Sequence, residues 1–485
     1  MNTLQLLKQR TQDNWLIGQD SQAFLALTEA LTQEFAAANA AMRGQSILIA
    51  ESDPIRFLAG FLAAQVTTQR VFLGNPHWGA TEWQQAMAIA QPDRVWGNGA
   101  DLKQCDCPPN CHNHDVDSVS HDLLMPSTQP LILIPTGGSS GTIQFAMHSW
   151  ETLAAAVTGF QAYFQLAAIN SICTLPLHHV SGLMQFIRSF LSGGRFWLVP
   201  FKALKTGQAP TIAPLDDPSD WFISLVPTQL QVLLEQPAVA QWLARCKTVF
   251  IGGAPSWPEL LSRARAQRIP LAPCYGMTET AAQIATLNPA DFLSGNQSVG
   301  QILPHAQVTI VNDQGQSVAS GTLGQVQIAA ESLALGYYPT ESFDAKTGES
   351  SQPPTIFPTD DVGYLDNQGY LTLVGRLSSK IITGGENVFP SEVEAAIWAT
   401  DLVADVAVLG MPDAYWGQCV TAVYVPRDSA PLSPALVTTL QDNIARFKCP
   451  KLWVPVDSLP RNAQGKLNRQ TLEAIASQWR QDHGV

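Results

Sequence analysis

The residues best suited to chemistry in this 485-residue chain fall into short clusters, and the first is a loop of glycines and hydroxyls. Glycine lets backbone N–H groups approach an anion closely, and hydroxyls add further donors. Such a loop can hold a phosphate, although its spacing matches neither the Walker loop nor the dinucleotide fingerprint, and a flexible turn explains it equally well. The loop follows the apolar run Leu131–Pro135 and comprises Thr136, Gly137, Gly138, Ser139, Ser140, Gly141 and Thr142.

A second cluster lies between residues 275 and 280 and combines an aromatic ring, hydroxyls and one carboxylate. Glu279 is the carboxylate and can bind a Mg²⁺ ion that bridges phosphates, whereas Tyr275 can offer its ring face to a base. Gly276 and Thr278 complete the cluster. Taken alone, these residues are better explained as a strand-end turn with a helix-capping threonine.

Two later clusters add carboxylates and a cation. Asp360 and Asp361 can accept hydrogen bonds from ribose hydroxyls, and Arg376 follows shortly after them. A β-hairpin turn is the alternative, which the segment Asp366–Gly369 resembles. Near the end of the chain, Lys466 lies in a glycine-containing turn, where a single lysine is ordinarily only solvated surface.

Alternating helical patterns and short apolar runs must position these clusters. Residues 22–42 and 55–66 have the periodicity of helices, and residues 46–50 and 70–73 have the character of strands. This alternation predicts an α/β fold of layered sheets and helices, which forms a large N-terminal domain.

The end of the chain has the pattern of a separate, small α/β module. Pro390 and the acidic residues after it mark a helix start. A module of about 110 residues is within the usual size of a domain. We therefore predict domains over residues 1–376 and 377–485. The elements predicted in the second domain are strands at 406–409, 420–425 and 452–456 and a helix at 433–447.

Composition excludes several classes of protein. Hydrophobic residues make up 46% of the chain and charged residues 14%, which favours a large core over disorder. The net charge of −13 argues against a nucleic-acid partner. We see no apolar run of membrane-spanning length and no signal segment, so we expect a cytoplasmic protein without a membrane span.

Three of the eight cysteines cluster between Cys105 and His114. Thiolates and imidazoles suit zinc, but the spacing fits no common zinc pattern. A solvent loop with reduced thiols is the favoured interpretation.

Taken together and in this order, the clusters resemble the adenylate-forming superfamily of acyl-CoA synthetases, peptide-synthetase adenylation domains and luciferases. The resemblance covers roughly residues 130–470. It implies the adenylate-forming enzyme fold, with a large N-terminal domain and a small mobile C-terminal domain. It also implies ATP, Mg²⁺ and coenzyme A, with a small carboxylic acid as the other substrate. The oligomeric state stays open, a homodimer included.

The resemblance also assigns roles to residues. It implies that the 136–142 loop binds phosphates, that Glu279 binds Mg²⁺, and that Lys466 is the catalytic lysine. The segment around Arg376 is implied to carry the interdomain hinge. Further contacts with nucleotide or coenzyme A are implied for Gly252, Gly253, Ala254, Tyr275, Gly276, Thr278, Asp361, Arg376, Gly384 and Gly385.

A narrower resemblance points to the o-succinylbenzoate–CoA ligases, which serve menaquinone and phylloquinone biosynthesis. It is carried by the segments Leu175–Leu183, Val226–Leu230 and Gly384–Pro390. The implied reaction joins an acid to AMP and then transfers the acyl group to coenzyme A. The alternatives are another aryl or fatty acyl-CoA ligase, or a non-catalytic protein that binds nucleotide or acyl-adenylate.

Within that narrower family, the histidine matching His179 lies between the acyl pocket and the pantetheine tunnel, so His179 is implied to be catalytic. Ser181 and Gly182, on the same short turn, are implied to contact the acid. A core turn is the alternative explanation of the histidine pair formed by His178 and His179.

The chain departs from the superfamily pattern at three positions. Gln144 stands where the phosphate loop usually ends in lysine, Ser378 where the hinge often has aspartate, and Asp360 where the ribose motif usually has glycine. The missing lysine removes a charge from the triphosphate side and favours weaker ATP binding. The presence of Lys466, Glu279 and Asp361 argues against the loss of catalysis.

The position of Lys466 generates a test. Lys466→Ala should cost about 3–4 kcal/mol of transition-state stabilisation in adenylate formation, because one preorganised donor is lost. Pyrophosphate release measures this step. Reaction of coenzyme A with a supplied acyl-adenylate should continue, and an equal loss of both steps would contradict the assignment.

Overall fold

The computed structural model describes residues 3–42, 46–98, 130–137, 142–210, 217–339, 355–427, 440, 444–461 and 467–483. Its strands are β1 (Ser46–Ile49), β2 (Arg70–Leu73), β3 (Arg94–Trp96), β4 (Leu131–Gly137), β5 (Ile143–His148), β6 (Asn170–Cys173), β7 (Phe196–Leu198), β8 (Trp221–Leu225), β9 (Thr248–Ile251), β10 (Leu271–Met277), β11 (Ala282–Thr286), β12 (Gln301–Ile302), β13 (Ala306–Val311), β14 (Gly324–Ala330), β15 (Tyr337–Tyr338), β16 (Phe357–Leu365), β17 (Leu371–Arg376), β18 (Ile381–Thr383), β19 (Glu386–Val388), β20 (Val403–Asp413), β21 (Gly417–Pro426) and β22 (Leu452–Pro455).

The described α-helices are α1 (Thr3–Arg10), α2 (Ser21–Met42), α3 (Pro54–Thr67), α4 (Ala80–Ala90), α5 (Trp150–Phe164), α6 (Val180–Ser192), α7 (Phe201–Lys205), α8 (Pro227–Leu234), α9 (Pro237–Leu243), α10 (Pro258–Ala266), α11 (Pro289–Ser294), α12 (Pro390–Trp398) and α13 (Arg469–His483). Local chemistry sets several starts. Asp53 accepts a hydrogen bond from the Arg56 amide and precedes proline at the first position of α3. Among these helices, none is long and apolar enough to cross a bilayer.

Four sheets organise the described chain. The first has the order β15-β5-β4-β2-β1-β3 and the second β12-β11-β10-β9-β8-β6-β7. The third has the order β13-β14-β16-β17, and the fourth consists of β19-β18-β21-β20 with β22 beside β21. Most interior strands of the first two sheets pair in parallel, and their near-continuous apolar sequences fit burial on both faces.

The largest core lies where α5 and α6 pack between the first two sheets. Aromatic rings dominate it, and Phe222 of β8 stacks on Phe250 of β9 with ring centroids 5.6 Å apart. Phe186 and Phe190 stack along one side of α6 at 5.4 Å. Burial of such rings contributes much of the stability of a large α/β domain. The same helices also carry polar residues towards β10.

Separate cores form after Lys380. The fourth sheet, α12 and α13 contain two hydrophobic clusters whose members all lie between residues 381 and 479. Contacts join this part to the preceding sheets, and Trp398 of α12 stacks on Trp257 with ring centroids 5.2 Å apart. The domain boundary near Arg376 stays a prediction.

The predicted α/β layers are confirmed, with a large N-terminal and a small C-terminal unit. The helices expected at 22–42 and 55–66 appear as α2 and α3, and the strands expected at 46–50 and 70–73 as β1 and β2. The strand expected at 406–409 is longer, because β20 pairs with β21 along its whole length. Most of the helix expected at 433–447 and the Cys105–His114 cluster lie outside the described residues.

Candidate active site

The carboxylate of Asp361 connects two sheets. The Tyr275 hydroxyl, on β10, donates a hydrogen bond to Asp361 Oδ2 at 2.6 Å, and Arg376 Nε donates to Oδ1 at 3.2 Å. Antiparallel pairing of β16 with β17 sets Asp361 opposite Arg376. Burial and the charge of Asp361 raise the pKa of Tyr275, so its hydroxyl stays a donor. Each carboxylate oxygen keeps acceptor capacity for further hydroxyls.

Glu279 lies on a 3₁₀ turn, Thr278–Thr280, that directly follows β10. The Tyr337 hydroxyl donates to Glu279 Oε1 at 2.5 Å, and the Ala334 amide donates to the Glu279 carbonyl oxygen at 2.8 Å. Burial, then the hydrogen bond to Glu279, raises the pKa of Tyr337, so this hydroxyl stays protonated. The hydrogen bond from Tyr337 therefore orients the side chain of Glu279.

The surroundings of Glu279 fit a magnesium ion that arrives with a nucleotide. The described residues contain no group of three or more His, Cys, Asp or Glu side chains arranged to hold a metal. Mg²⁺ is commonly bound by one or two carboxylates together with substrate phosphates and water, so a single carboxylate suffices. When bound there, Mg²⁺ would neutralise charge on the phosphates.

The predicted phosphate loop connects β4 to β5. Register pairs Thr136 with Gln144 and Gly137 with Ile143, so the strands on either side of the loop form an antiparallel hairpin. Gly138, Ser139, Ser140 and Gly141 lie outside the described residues, and Thr142 and Gln144 are exposed. A glutamine therefore occupies the exposed position at which the superfamily usually carries a lysine.

His148 ties this hairpin to the turn that carries Glu279. Its Nε2 lies 2.8 Å from the Thr278 carbonyl oxygen, and its Nδ1 lies 3.0 Å from the Thr152 hydroxyl. Burial lowers the pKa of His148 to about 4, so the ring is neutral and one nitrogen donates while the other accepts. The phosphate-loop hairpin and the Glu279 turn are thus held at a fixed separation.

The glycine segment after β9 lies beside the residues that precede Tyr275. β9 and β10 pair in parallel, so their carboxyl ends meet at the same edge. A side chain at Gly252 would come within 2.9 Å of Cys274 Sγ, and Gly253 has a φ of +80°. Gly276 is still more confined, because a Cβ there would lie 1.8 Å from the Ala282 carbonyl oxygen. Gly252 therefore lies beside Cys274, next to the 275–280 cluster, and the nucleotide contacts of Gly252, Gly253 and Ala254 stay predictions.

The histidine pair marks the start of α6. His179 is the N-cap residue, and its ring centroid lies 4.4 Å from that of His178. Burial and then the neighbouring His179 hold the pKa of His178 well below its usual range. Ser181 is exposed, and Gly182 is required for packing, since a Cβ would lie 2.2 Å from the Pro176 carbonyl oxygen. The substrate roles of these residues stay predictions.

The residues predicted to act from the C-terminal part are described only partly. Gly384 and Gly385 form the turn between β18 and β19 with φ values of +59° and +87°, and Gly384 lies against Trp416. Lys466 lies outside the described residues. The structure thus pairs Tyr275 with Asp361 and sets Glu279 on the turn that follows β10, and the catalytic role of Lys466 stays a prediction.

Two of the residues that depart from the superfamily pattern, Asp360 and Ser378, contact each other. Asp360 Oδ1 accepts a hydrogen bond from the Ser378 amide at 2.9 Å, and Asp360 Oδ2 accepts one from the Ser378 hydroxyl. Ser378 stands where the superfamily often has aspartate, and the carboxylate of Asp360 in β16 reaches this position. The segment predicted to be the hinge therefore has a carboxylate contact, which β16 supplies.

Sequence reasoning missed Tyr337 and His148. Tyr337 belongs to the two-residue strand β15, and its only signal is an aromatic pair after Gly336. His148 stands at the end of β5 and acts through a backbone carbonyl distant in sequence. Neither residue belongs to a sequence pattern that indicates a catalytic or binding role.

Two models of known protein families match this chain. The family described as AMP-binding enzyme matches residues 39–338, and the AMP-binding enzyme C-terminal domain matches residues 392–466. The chain belongs to the AMP-binding enzyme family. The resemblance to the adenylate-forming superfamily is thereby confirmed.

Two relatives of this chain are named for different acids. A 2-succinylbenzoate–CoA ligase of Enterococcus faecalis is 32% identical over 333 residues, covering 68% of this chain and 67% of the relative. An indoleacetate–CoA ligase of Aromatoleum aromaticum is 31% identical over 364 residues, covering 74% of this chain and 70% of the relative.

The solved structures show the same fold. The o-succinylbenzoate CoA synthetase from Bacillus subtilis, in complex with its acyl-adenylate intermediate, aligns with a TM-score of 0.79 at 24% identity, covering 96% of this chain and 97% of that one. The same synthetase in complex with ATP and a magnesium ion aligns with a TM-score of 0.76 at 23% identity, covering 96% and 99%.

The predicted role of Glu279 in binding Mg²⁺ can be tested by a substitution that keeps the shape of the side chain. Glu279→Gln removes the charge that would face the magnesium ion, so pyrophosphate release should fall about 10-fold to 100-fold, on the scale of a lost charged contact. The Mg²⁺ concentration for half-maximal rate should rise. Tyr337→Phe is the matched control, because it removes only the orienting donor. An unchanged Mg²⁺ titration in Glu279→Gln would exclude the metal role.

The predicted contact of Asp361 with the nucleotide can be tested by measuring the KM for ATP. Asp361→Asn retains hydrogen bonding but loses the charge, and hydrogen bonds to charged groups contribute about 1.5–3 kcal/mol. The KM for ATP should therefore rise about 10-fold to 100-fold. Tyr275→Phe removes one donor to Asp361 and should raise this KM less. If Asp361→Asn matches the wild type in KM for ATP, Asp361 does not contact the nucleotide.

Proposed function

We propose that this chain is an AMP-forming acid–CoA ligase whose acid is 2-succinylbenzoate. The observation that carries the proposal is the pair of oriented carboxylates at and just after β10. Tyr275 of β10 donates a hydrogen bond to Asp361, and Tyr337 donates one to Glu279, which lies on the turn that directly follows β10. Such a set suits a nucleotide with its magnesium ion. The names of the relatives support the choice of acid.

The chemistry explains why a nucleotide is needed. A carboxylate is a poor acyl donor, because its leaving group would be oxide. Attack of the carboxylate on the α-phosphorus of ATP forms a mixed anhydride with AMP and releases pyrophosphate. The thiolate of coenzyme A then attacks the acyl carbon, and AMP leaves as a stable phosphate ester.

The protein acts mainly by position and charge. Asp361 and Arg376 would hold the ribose, Glu279 the magnesium ion, and the 136–142 loop the phosphates. Lys466 would stabilise charge that develops in the first step. His179, at the start of α6, would lie between the acid and coenzyme A.

The two steps need different neighbours at one site. We propose that the boundary near Arg376 separates two units and that the smaller one turns about Ser378. One orientation would supply Lys466 and the other the Gly384–Gly385 turn. The contact of Asp360 with Ser378 lies at this pivot.

A second candidate acid follows from the other relative. The ligase for indoleacetate is nearly as similar to this chain as those for 2-succinylbenzoate. Both acids join an aromatic group to an aliphatic carboxylate, but only 2-succinylbenzoate carries a second carboxylate. The number of charges on the acid therefore discriminates the two candidates.

A panel of acids tests the proposal. Pyrophosphate release and thioester formation are measured with 2-succinylbenzoate, indoleacetate and 4-oxo-4-phenylbutanoate, which lacks only the ring carboxylate. A site that binds a polar group rejects analogues without it, so kcat/KM should be about 10²-fold higher for 2-succinylbenzoate than for 4-oxo-4-phenylbutanoate. Comparable turnover of these two acids, or faster turnover of indoleacetate, would reassign the substrate and leave the ATP chemistry intact.

A further inference from the structure

The segment that contains Lys466 is flanked by two residues that pair with each other. Arg461 and Leu467 form an isolated antiparallel bridge. Residues 462–466 lie between the bridge partners and outside the described residues, and Lys466 directly precedes Leu467 in the sequence. Because consecutive Cα atoms are about 3.8 Å apart, the position of Leu467 limits where Lys466 can lie.

A backbone hydrogen bond and hydrophobic contacts also hold the base of this segment. The Asn468 amide donates to the Pro460 carbonyl oxygen at 2.9 Å. Leu459 is buried in a hydrophobic cluster that includes Leu472 near the start of α13, and Leu467 packs against the same cluster. Apolar burial is not directional, so it holds the base against α13 without fixing the orientation of the segment.

The side chain of Arg461 supplies a directional contact. Its Nη2 donates to both carboxylate oxygens of Asp405, at 3.0 Å and 2.9 Å, and its Nε donates to Oδ2 at 3.3 Å. Two guanidinium nitrogens thus bind one carboxylate, a geometry that orients both groups. The side chains of Arg461 and Asp405 are 29% and 26% exposed, so solvent screens this pair only in part.

Asp405 is itself held in place by β20. The register of β20 against β21 shifts between Val403 and Asp405, and an irregularity of this kind re-aims a side chain. Asp405 Oδ1 also accepts a hydrogen bond from the Val406 amide at 3.0 Å. Because β20 stays paired with β21 as far as Asp413, Arg461 is attached to a strand of the fourth sheet and not to another loop.

A second carboxylate, that of Glu394 in α12, is close enough to Asp405 and Arg461 for their charges to interact. Glu394 Oε1 accepts a hydrogen bond from the Val408 amide at 2.8 Å. Burial raises the pKa of Glu394 to about 7, so this group is only partly charged at neutral pH. Asp405, which makes the direct hydrogen bonds, is therefore the main counter-ion of Arg461.

We propose that Arg461 is a positioning residue for adenylate formation, and that its ion pair with Asp405 sets the orientation of the segment that presents Lys466. The inference rests on the proposed function, in which Lys466 stabilises charge that develops in the first step. Asp405 binds the guanidinium, so Arg461 acts through Lys466 and not on the nucleotide. A shift of about 1 Å in a positioned group can cost about 10²-fold in rate, so a small reorientation suffices.

The test measures the two half-reactions separately in variants of the ion pair. Arg461→Met removes the charge and should lower kcat for pyrophosphate release about 10-fold to 10²-fold. Reaction of coenzyme A with a supplied acyl-adenylate should stay close to the wild type, because that step does not need Lys466, and this also shows that the variant is folded. Asp405→Asn should reproduce the selective fall. Arg461→Lys keeps the charge without the planar fork and should give an intermediate rate.

A second ion pair on the same strand supplies the matched control. Arg480 of α13 lies 3.4 Å from Asp413 at the other end of β20, and the two side chains are 32% and 18% exposed. Arg480→Met removes a comparable ion pair away from the base of the Lys466 segment, so pyrophosphate release should stay as in the wild type. Comparable falls in Arg480→Met and Arg461→Met would indicate general loosening of this part of the chain and would overturn the positioning role.

A double-mutant cycle with Lys466 separates positioning from other effects. If Arg461 acts through Lys466, Arg461→Met should cause no further loss of pyrophosphate release in the Lys466→Ala background, so the two losses are not additive. Additive losses, or an equal fall of both half-reactions in Arg461→Met, would contradict the positioning role.

The outcomes distinguish this role from the proposed function. A fall in Lys466→Ala with no fall in Arg461→Met overturns the positioning role and leaves the ligase activity in place. A wild-type enzyme that releases no pyrophosphate with any acid of the panel overturns the proposed function and, with it, this role. A selective loss in Arg461→Met that disappears in the Lys466→Ala background supports both.

Discussion

The hydrogen bonds of the Asp361 carboxylate are the interaction on which the candidate site depends. One oxygen accepts from Tyr275 in the second sheet and the other from Arg376 at the end of the third. Because the Asp361 side chain is only 12% exposed and Tyr275 is buried, the contact between them is little screened by solvent, whereas the Arg376 side chain is 59% exposed. They fix the third sheet against β10, and the chain then turns directly into the 3₁₀ segment Leu377–Ser379. These contacts therefore set where the chain leaves the third sheet at Arg376.

The sequence predicted the parts of this arrangement that depend on local pattern. Strand-to-loop transitions, the glycine-rich loop and the order of the clusters at Tyr275 and Asp361 are all visible in consecutive residues. Tyr337 and His148 were missed because each acts across the fold. Their partners are Glu279 and the backbone carbonyl of Thr278, which no spacing rule connects to them.

Arg188 shows the same limit for charge. In the sequence it is one cation among apolar residues, and an amphipathic helix would ordinarily direct it to solvent. Only the packing of α6 between two sheets reveals that the guanidinium is buried, and only the described neighbours reveal that its Nε lacks a hydrogen-bond acceptor among them. Arg10, which is equally buried, differs because it donates to the backbone carbonyl oxygens of Ser189 and Gly194.

These observations assign one physical task to the residues at the end of β10. Glu279 and Asp361 are acceptors whose own donors, Tyr337 and Tyr275, stay protonated because burial and the neighbouring carboxylates raise their pKa values, so the site is already oriented before a nucleotide arrives.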